Sequence, residues 1–233
     1  MNSAKWMGPL LLCVGCSLAG PALADGEGWY AVAFGGQSKA NNIVSQSALD
    51  SAIDDAFASL GFAVVSGSSS LDDTDTAFGV TLGYKVTENF AAELSYVDLG
   101  SPIDYQSTNT VTDDGGVTNF NATTRAEATA SGPVLSFLGI LPIGKRFDVY
   151  GRAGLALMDT EARVSVAGNG VSASDSASTR RSNAMYGIGG EFIVNKRFGI
   201  RAEWNRYAKI GSEDVTGEGD IDMLNLALRV NFR

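Results

Sequence analysis

No histidine occurs at any of the 233 positions of the chain. That absence removes Ser-His-Asp and Cys-His catalysis and histidine-ligated zinc together. Cysteine is nearly absent too, with Cys13 and Cys16 both inside the first 24 residues. Past residue 24 no segment approaches the run of about 18 apolar residues that a transmembrane helix requires. Positive charge is scarce, 17 Lys and Arg against 26 Asp and Glu, for a net charge of -9. Such a balance argues against nucleic acid as a partner and against anchoring to an anionic membrane surface through basic residues.

The N-terminus carries Lys5, the apolar stretch Leu10-Leu11-Leu12-Cys13-Val14 and the small-residue site Pro21-Ala22-Leu23-Ala24. These features predict a secretory signal peptide over residues 1–24, cleaved after Ala24, and a single domain over residues 25–233. An uncleaved helix would be interrupted by Gly8, Pro9, Gly15, Gly20 and Pro21. Lipid attachment at Cys16 would ordinarily have leucine where Cys13 stands. A mature chain starting at Asp25 has no cysteine, so neither a disulfide nor a thiolate metal site is expected. Loss of Lys5, the leader's only charge, takes the net charge from -9 to -9 - 1 = -10.

What the chain does contain is alternation. Phe78, Val80, Leu82, Tyr84 and Val86 alternate with small or polar residues, and after Thr87-Glu88-Asn89 the pattern resumes with Phe90, Ala92, Leu94 and Tyr96. Side chains change face at every strand residue, so a run of this length describes a hairpin with one apolar face. Similar runs appear in Gly28 to Gln37 (Tyr30, Val32, Phe34), Phe147 to Met158, Asn183 to Val194, Phe198 to Trp204 and Leu224 to Phe232. Residues 122 to 141 form a further strand whose faces stay unassigned, because Pro133-Val134-Leu135-Ser136-Phe137-Leu138 blurs the period.

Short turns at Thr87 to Asn89, Pro142 to Arg146 and Asn195 to Arg197 alternate with long polar connections at Ser38 to Thr74, Gly100 to Asn121, Asp159 to Ser182 and Ala208 to Asp220. Three turns and four loops join eight strands. The expected fold is therefore all-β, an eight-stranded antiparallel up-and-down transmembrane β-barrel with short periplasmic turns. Lipid cannot satisfy an open sheet edge, so a strand-built membrane protein must close. A soluble ligand-binding barrel would instead put its apolar residues inside. Two features oppose it: aromatics gather next to the turns (Tyr84, Phe90, Phe147, Phe192, Phe198, Phe232) and again higher up (Phe34, Phe78, Tyr96, Tyr186, Trp204), and the opposite face collects charge with glycine and alanine. Aromatic girdles of this kind belong at two lipid–water interfaces.

Four segments resemble the OmpA-like eight-stranded outer-membrane barrels. GYKVTENFAAELSYVDLG (83–100) is similar to that family's second hairpin, PIGKRFDVYGRAGLALMDT (142–160) to its fourth-to-fifth strand segment and GIGGEFIVNKRFGIRAEWNRY (187–207) to its sixth and seventh strands. MLNLALRVNF (223–232) resembles the closing strand. The resemblance implies residence in a Gram-negative outer membrane among its lipids and recognition of the last strand by the barrel-assembly machinery. No peptidoglycan-binding domain is implied, since the chain ends at Arg233, and a monomer is expected. The histidine-using barrel enzymes (lipid A deacylases, palmitoyl transferases, outer-membrane phospholipases, omptin-type proteases) are disfavoured by composition. No cofactor is expected.

Candidate functional residues are the inward-facing charges Glu93, Arg152, Glu191, Arg201, Glu203 and Arg229, three of each sign. A turn centred on Lys196 sets Glu191 opposite Arg201 as a cross-strand ion pair, and the first hairpin sets Glu93 opposite Gly83. Counting about 3.3 Å per residue at a tilt of about 40° puts Glu93, Glu191, Arg201 and Arg229 in one layer, about 8–10 Å above the turns. In the resembled family a glutamate–arginine pair with a competing lysine and a second glutamate is proposed to gate a narrow pore. Glu93, Glu191 and Arg201 match those positions, whereas the lysine region here reads Leu135-Ser136-Phe137-Leu138-Gly139. Outside the barrel, Leu49, Ile53, Ala56, Phe57 and Leu60 at helical spacing predict a short amphipathic helix over Ser47 to Leu60, capping the barrel mouth. It either packs on its own loop or meets a partner. The acidic runs Asp72-Asp73-Thr74-Asp75 and Asp113-Asp114-Gly115 lack EF-hand spacing.

These features point to a non-enzymatic outer-membrane protein with an envelope-structural or surface-interaction role through its loops. A small diffusion channel with a charged lumen gate is the alternative, and a lipid-modifying barrel a third reading.

Overall fold

The structure is a computed structural model that describes residues 27–41, 45–113, 116, 119–212 and 217–232. The expected leader and its cleavage site, Asp114 and Gly115 of the second acidic run, and Arg233 lie outside the described residues. Ten strands and one helix follow in order: β1 (Gly28–Asn41), α1 (Gln46–Ser59), β2 (Phe62–Asp72), β3 (Thr74–Thr87), β4 (Phe90–Asp98), β5 (Ile103–Asp113), β6 (Asn119–Ile143), β7 (Phe147–Gly168), β8 (Val171–Ile193), β9 (Phe198–Ser212) and β10 (Gly217–Asn231). Eight of them, β1, β3, β4, β6, β7, β8, β9 and β10, form a ring of antiparallel pairs closed between β1 and β10. Closure satisfies every edge that hydrocarbon could not.

The outer face is apolar along its length. Phe78, Val80 and Leu82 on β3, Leu94 and Tyr96 on β4, Leu155 on β7, Ile188 on β8, Ile200 on β9 and Leu224, Leu226 and Leu228 on β10 are all exposed. In water such a surface would be an aggregation hazard; in lipid it is the favoured exterior. Trp29 stacks at a tilt on Tyr84, with ring centroids 5.1 Å apart, and joins the girdle on the turn side. The periplasmic turns are tightly held. Asn195 Oδ1 accepts the backbone N–H groups of Arg197 and Phe198 at 2.8 and 2.9 Å, and Gly144 takes a φ of 78° that few other residues tolerate.

One strand faces opposite to its expected sense. In β1 the residues Tyr30, Val32 and Phe34 point inward, and Trp29, Ala31, Ala33 and Gly35 point out. Phe34 therefore belongs to the lumen packing and not to the outer girdle. Register explains the inversion, because Tyr30 pairs with Gly83, and a side chain added at Gly83 would collide with the Tyr30 ring at 2.2 Å. The bulk of Tyr30 fits inside only because its neighbour has none. Lipid tolerates the small residues left on the outer side.

β6 settles the strand whose period was blurred. It runs for 25 residues, with Val134, Ser136 and Leu138 buried and Leu135 and Phe137 exposed. Both faces are apolar there, since the inner one packs in the lumen and the outer one meets lipid.

The long polar connections are largely strand. β7 spans 22 residues, which at about 3.3 Å each and a tilt of about 40° rises about 55 Å, against an apolar band of about 25 Å. Upper β6 exchanges β4 for β5 as its neighbour, and β5 in turn pairs with β2. The wall thus continues above the rim as a five-stranded arm of β2, β5 and the upper parts of β6, β7 and β8. β1, β9 and β10 stop lower, so the arm is an open trough.

α1 lies in that trough. Ser45 caps it by accepting the Ala48 N–H at 3.2 Å. Its inner residues Ile53 and Phe57 pack with Val64, Val111, Ala122 and Val166, on the face continuous with the barrel interior. The Tyr105 hydroxyl donates to Asp50 at 2.6 Å, and burial foremost pushes its pKa up. The helix consequently packs on its own arm, and the mouth is stopped by other residues, described below. Leu60 and Ala56, expected on the packing side, are exposed.

Phe57→Ala removes the side chain that anchors α1, a change that costs about 3–5 kcal/mol in a well-packed core. Hydrogen exchange of the protein in lipid nanodiscs should show lost protection across α1 and β2, with the β3–β4 hairpin unchanged.

Candidate functional site

All six inward-facing charges are brought together. Arg201 on β9 is the hub, 1% exposed, with Nη1 2.7 Å from Glu93 Oε1 and Nε 2.8 Å from Glu191 Oε2. Arg229 on β10 donates from Nη1 to both oxygens of Glu191 at 2.9 Å. Arg152 on β7 bridges the remaining carboxylates, 3.2 Å from Glu93 Oε2 and 3.0 Å from Glu203 Oε2. Glu93 also stands opposite Gly83, and Glu191 opposite Arg201. Three arginines thus neutralise three glutamates in one connected network. Removing such ions from water costs several kcal/mol each, and only close pairing with satisfied hydrogen bonds recovers it.

Two tyrosines complete the network, and the residue pattern alone did not select them. Tyr30 donates to Glu93 at 2.7 Å, and Tyr150 donates to Glu203 at 2.5 Å. The Arg201 guanidinium lies 5.2 Å and 5.3 Å from their ring centroids, and that of Arg229 lies 4.4 Å from Tyr30. Each tyrosine is paired in register with a glycine, Tyr30 with Gly83 and Tyr150 with Gly189. An inward tyrosine beside an inward glycine is the signal that would have found both, once the register is known. Polar neighbours fill the remaining valences: Ser136 Oγ accepts from Arg152 at 2.9 Å, Asn205 donates to Glu203 at 3.2 Å and Asn231 Oδ1 accepts from Arg229 at 2.9 Å.

The network is bounded above and below. On the periplasmic side a vestibule of about 500 Å³ opens, lined among others by Lys85, Lys145, Arg146 and Asp148. On the extracellular side Leu99, Met158, Met185, Tyr207, Ile221 and Met223 form a fully buried apolar cluster across the mouth. Among the described residues no group of three histidine, cysteine, aspartate or glutamate side chains could hold a metal.

A closed ring of eight antiparallel strands, apolar outside, ringed by aromatics and filled with paired charge, defines a transmembrane β-barrel of the outer-membrane type. The chain belongs to the OmpA-like transmembrane domain family, whose model matches residues 24–233, and its place is the Gram-negative outer membrane. Among solved structures it is similar to Neisserial surface protein A, at 14% identity over 88% of this chain and 97% of that one, with a TM-score of 0.44. The N-terminal β-barrel domain of Pseudomonas aeruginosa OprF matches at 14% identity over 87% and 97%, with a TM-score of 0.41. The attachment invasion locus protein Ail of Yersinia pestis matches at 15% identity over 87% and 99%, with a TM-score of 0.34. No curated protein matches the chain.

Replacing Arg201 by methionine leaves Glu93 and Glu191 each short of a cation in a desolvated site, a loss of about 3–5 kcal/mol by the usual cost of breaking a buried pair. Urea unfolding of the protein refolded in phospholipid vesicles should report that loss. Adding Glu93→Gln should recover part of it.

Proposed function

We propose that the protein is a non-conducting, non-enzymatic barrel that serves as a base for its extracellular arm, and that its role is interaction at the cell surface. The observation that carries this reading is the double closure of the lumen, by the Arg201-centred network and by the methionine-rich cluster above it. An ion would have to separate buried pairs and then cross an apolar layer. The arm, by contrast, projects well beyond the apolar band of the membrane and carries its own core around Phe57. The lack of histidine throughout the chain supports a non-catalytic role. The six lumen charges then act as structural ballast, holding the strand registers by charge pairing.

Planar-bilayer recording tests the reading. Wild-type protein should show no unitary current, and Arg201→Met, though less stable, should stay silent because the apolar cluster remains. Steady current from the wild type that disappears in a Glu93 variant would favour a gated diffusion channel instead. Replacing residues 42–73 by a two-residue turn should leave the barrel intact and abolish binding to the surface partner.

A further inference from the structure

The arm is a sheet with an open side. Among the described residues β2 has a single strand neighbour, β5, so one row of its backbone N–H and C=O groups points into the gap above β1, β9 and β10. Which residues point that way can be read from Ser69. Its carbonyl accepts the side-chain amide of Gln46 at 3.0 Å, so it is directed away from β5. In an antiparallel ladder the N–H and C=O of one residue share a side, and the side alternates. Gly67, Ser69 and Leu71 therefore present their backbone groups outward. The Gln46 amide already takes the position of a donor from a missing strand.

Exposed edges are ordinarily protected by lysine, proline, inward-pointing charge or shortness. β2, FAVVSGSSSLD, is 11 residues long and has no lysine, no proline and no charge before Asp72, and its register shift between Val64 and Ser66 leaves Ser66 to Asp72 in unbroken register with β5. Charge in the sequence around it is of one sign, the nearest cations, Arg125 and Lys39, being paired with Asp104 and Asp73. Between Ala40 and Tyr84 there are six aspartates, Asp50, Asp54, Asp55, Asp72, Asp73 and Asp75, and no lysine or arginine. Lys39 lies 3.5 Å from Asp73, whereas neither α1 nor β2 carries any basic residue to offset the three aspartates of the helix. Two copies of this edge would bring like charges together, which opposes pairing of the protein with itself.

We propose that the β2 edge is a strand-addition site for an extended polypeptide segment bearing lysine or arginine, taken up as a sixth strand of the arm. Main-chain hydrogen bonds to Gly67, Leu71 and Ser69, whose carbonyl exchanges the Gln46 amide for a backbone N–H of the added strand, supply the affinity, and the aspartates of α1 select a cationic sequence. The inference rests on the surface-interaction reading and names the chemistry of the partner.

The test uses the full chain in nanodiscs and a fluorescent 12-residue peptide of alternating lysine and valine. Anisotropy should show binding to the wild type and to Ser69→Ala, which keeps the backbone N–H. Ser69→Pro removes that N–H on the solvent side while leaving the β5 ladder whole, and should bind at least tenfold more weakly. The same loss is expected for the peptide N-methylated at alternate residues, and a glutamate-for-lysine peptide should not bind. No binding of the lysine peptide, equal binding of its N-methylated form, equal binding by Ser69→Pro, or a Ser68→Cys crosslink joining two copies would each overturn the proposal. If replacement of residues 42–73 abolishes binding of the peptide and Ser69→Pro does not, the arm remains the interacting part and the edge falls. If the bilayer recording shows conduction while the peptide data hold, the barrel reading falls and the edge stands.

Discussion

In hydrocarbon a backbone N–H or C=O has no water to turn to, and each unsatisfied group costs several kcal/mol. Everything in this molecule below the rim follows from that demand. β1 must find β10 at the end of the chain, and the register that joins Tyr30 to Asn231 and Asn41 to Asp220 does so along the whole of β1. Above the rim the demand lapses because water is present. There β1, β3, β4, β9 and β10 end, and β6, β7 and β8 continue beside β5 and β2 without closing among the described residues. The same chain thus contains a sheet that is forbidden an edge and a sheet that, among the described residues, has two.

Closure also fixes what the lumen must hold. Strands that alternate faces deliver about half their residues inward, and a barrel of eight strands has an interior just wide enough for side chains to fill. Charged residues placed there are stable only as a neutral, mutually bonded set. Glu93, Glu191 and Glu203 with Arg152, Arg201 and Arg229 form such a set, and no pair within it is isolated, since Arg201 and Arg152 each touch two carboxylates. Glycine is as much part of the arrangement as arginine. Gly83 and Gly189 leave the space in which Tyr30 and Tyr150 lie flat against the wall and reach their carboxylates.

Legibility in the sequence tracks how many media a segment meets. The β3–β4 hairpin has lipid on one side and a polar lumen on the other, so its period of two is clean and both its register and its faces could be read. Glu191 and Arg201 were legible for the same reason, being joined by a turn of known length. β1 was misread because apolarity was equated with lipid: Tyr30, Val32 and Phe34 meet an interior that is partly apolar, and Ala31, Ala33 and Gly35 meet lipid. β6 defeated the period because both its faces are apolar. The arm strands were hidden by composition, since VSGSSS and SASDSAS have the residues of a loop. In water on both faces a strand needs no apolar alternation, and only the ladders that join β2 to β5 and β7 to β8 show that these segments are sheet.

α1 connects these lines of argument. An open trough above the membrane would expose the inner faces of β5, β6 and β7, with Val111, Ala122 and Val166 among them. Within the barrel the opposing wall covers such residues. In the arm there is no opposing wall, because β1, β9 and β10 have ended, and a helix inserted between β1 and β2 supplies the missing cover. Ile53 and Phe57 do for the arm what the far side of the ring does for the lumen. A helix can bury a face, yet it cannot offer a row of main-chain partners to a neighbouring strand. Filling the trough from within therefore stabilises the arm and leaves the outer row of β2 without a strand partner among the described residues, so the open edge is a consequence of how the arm is built.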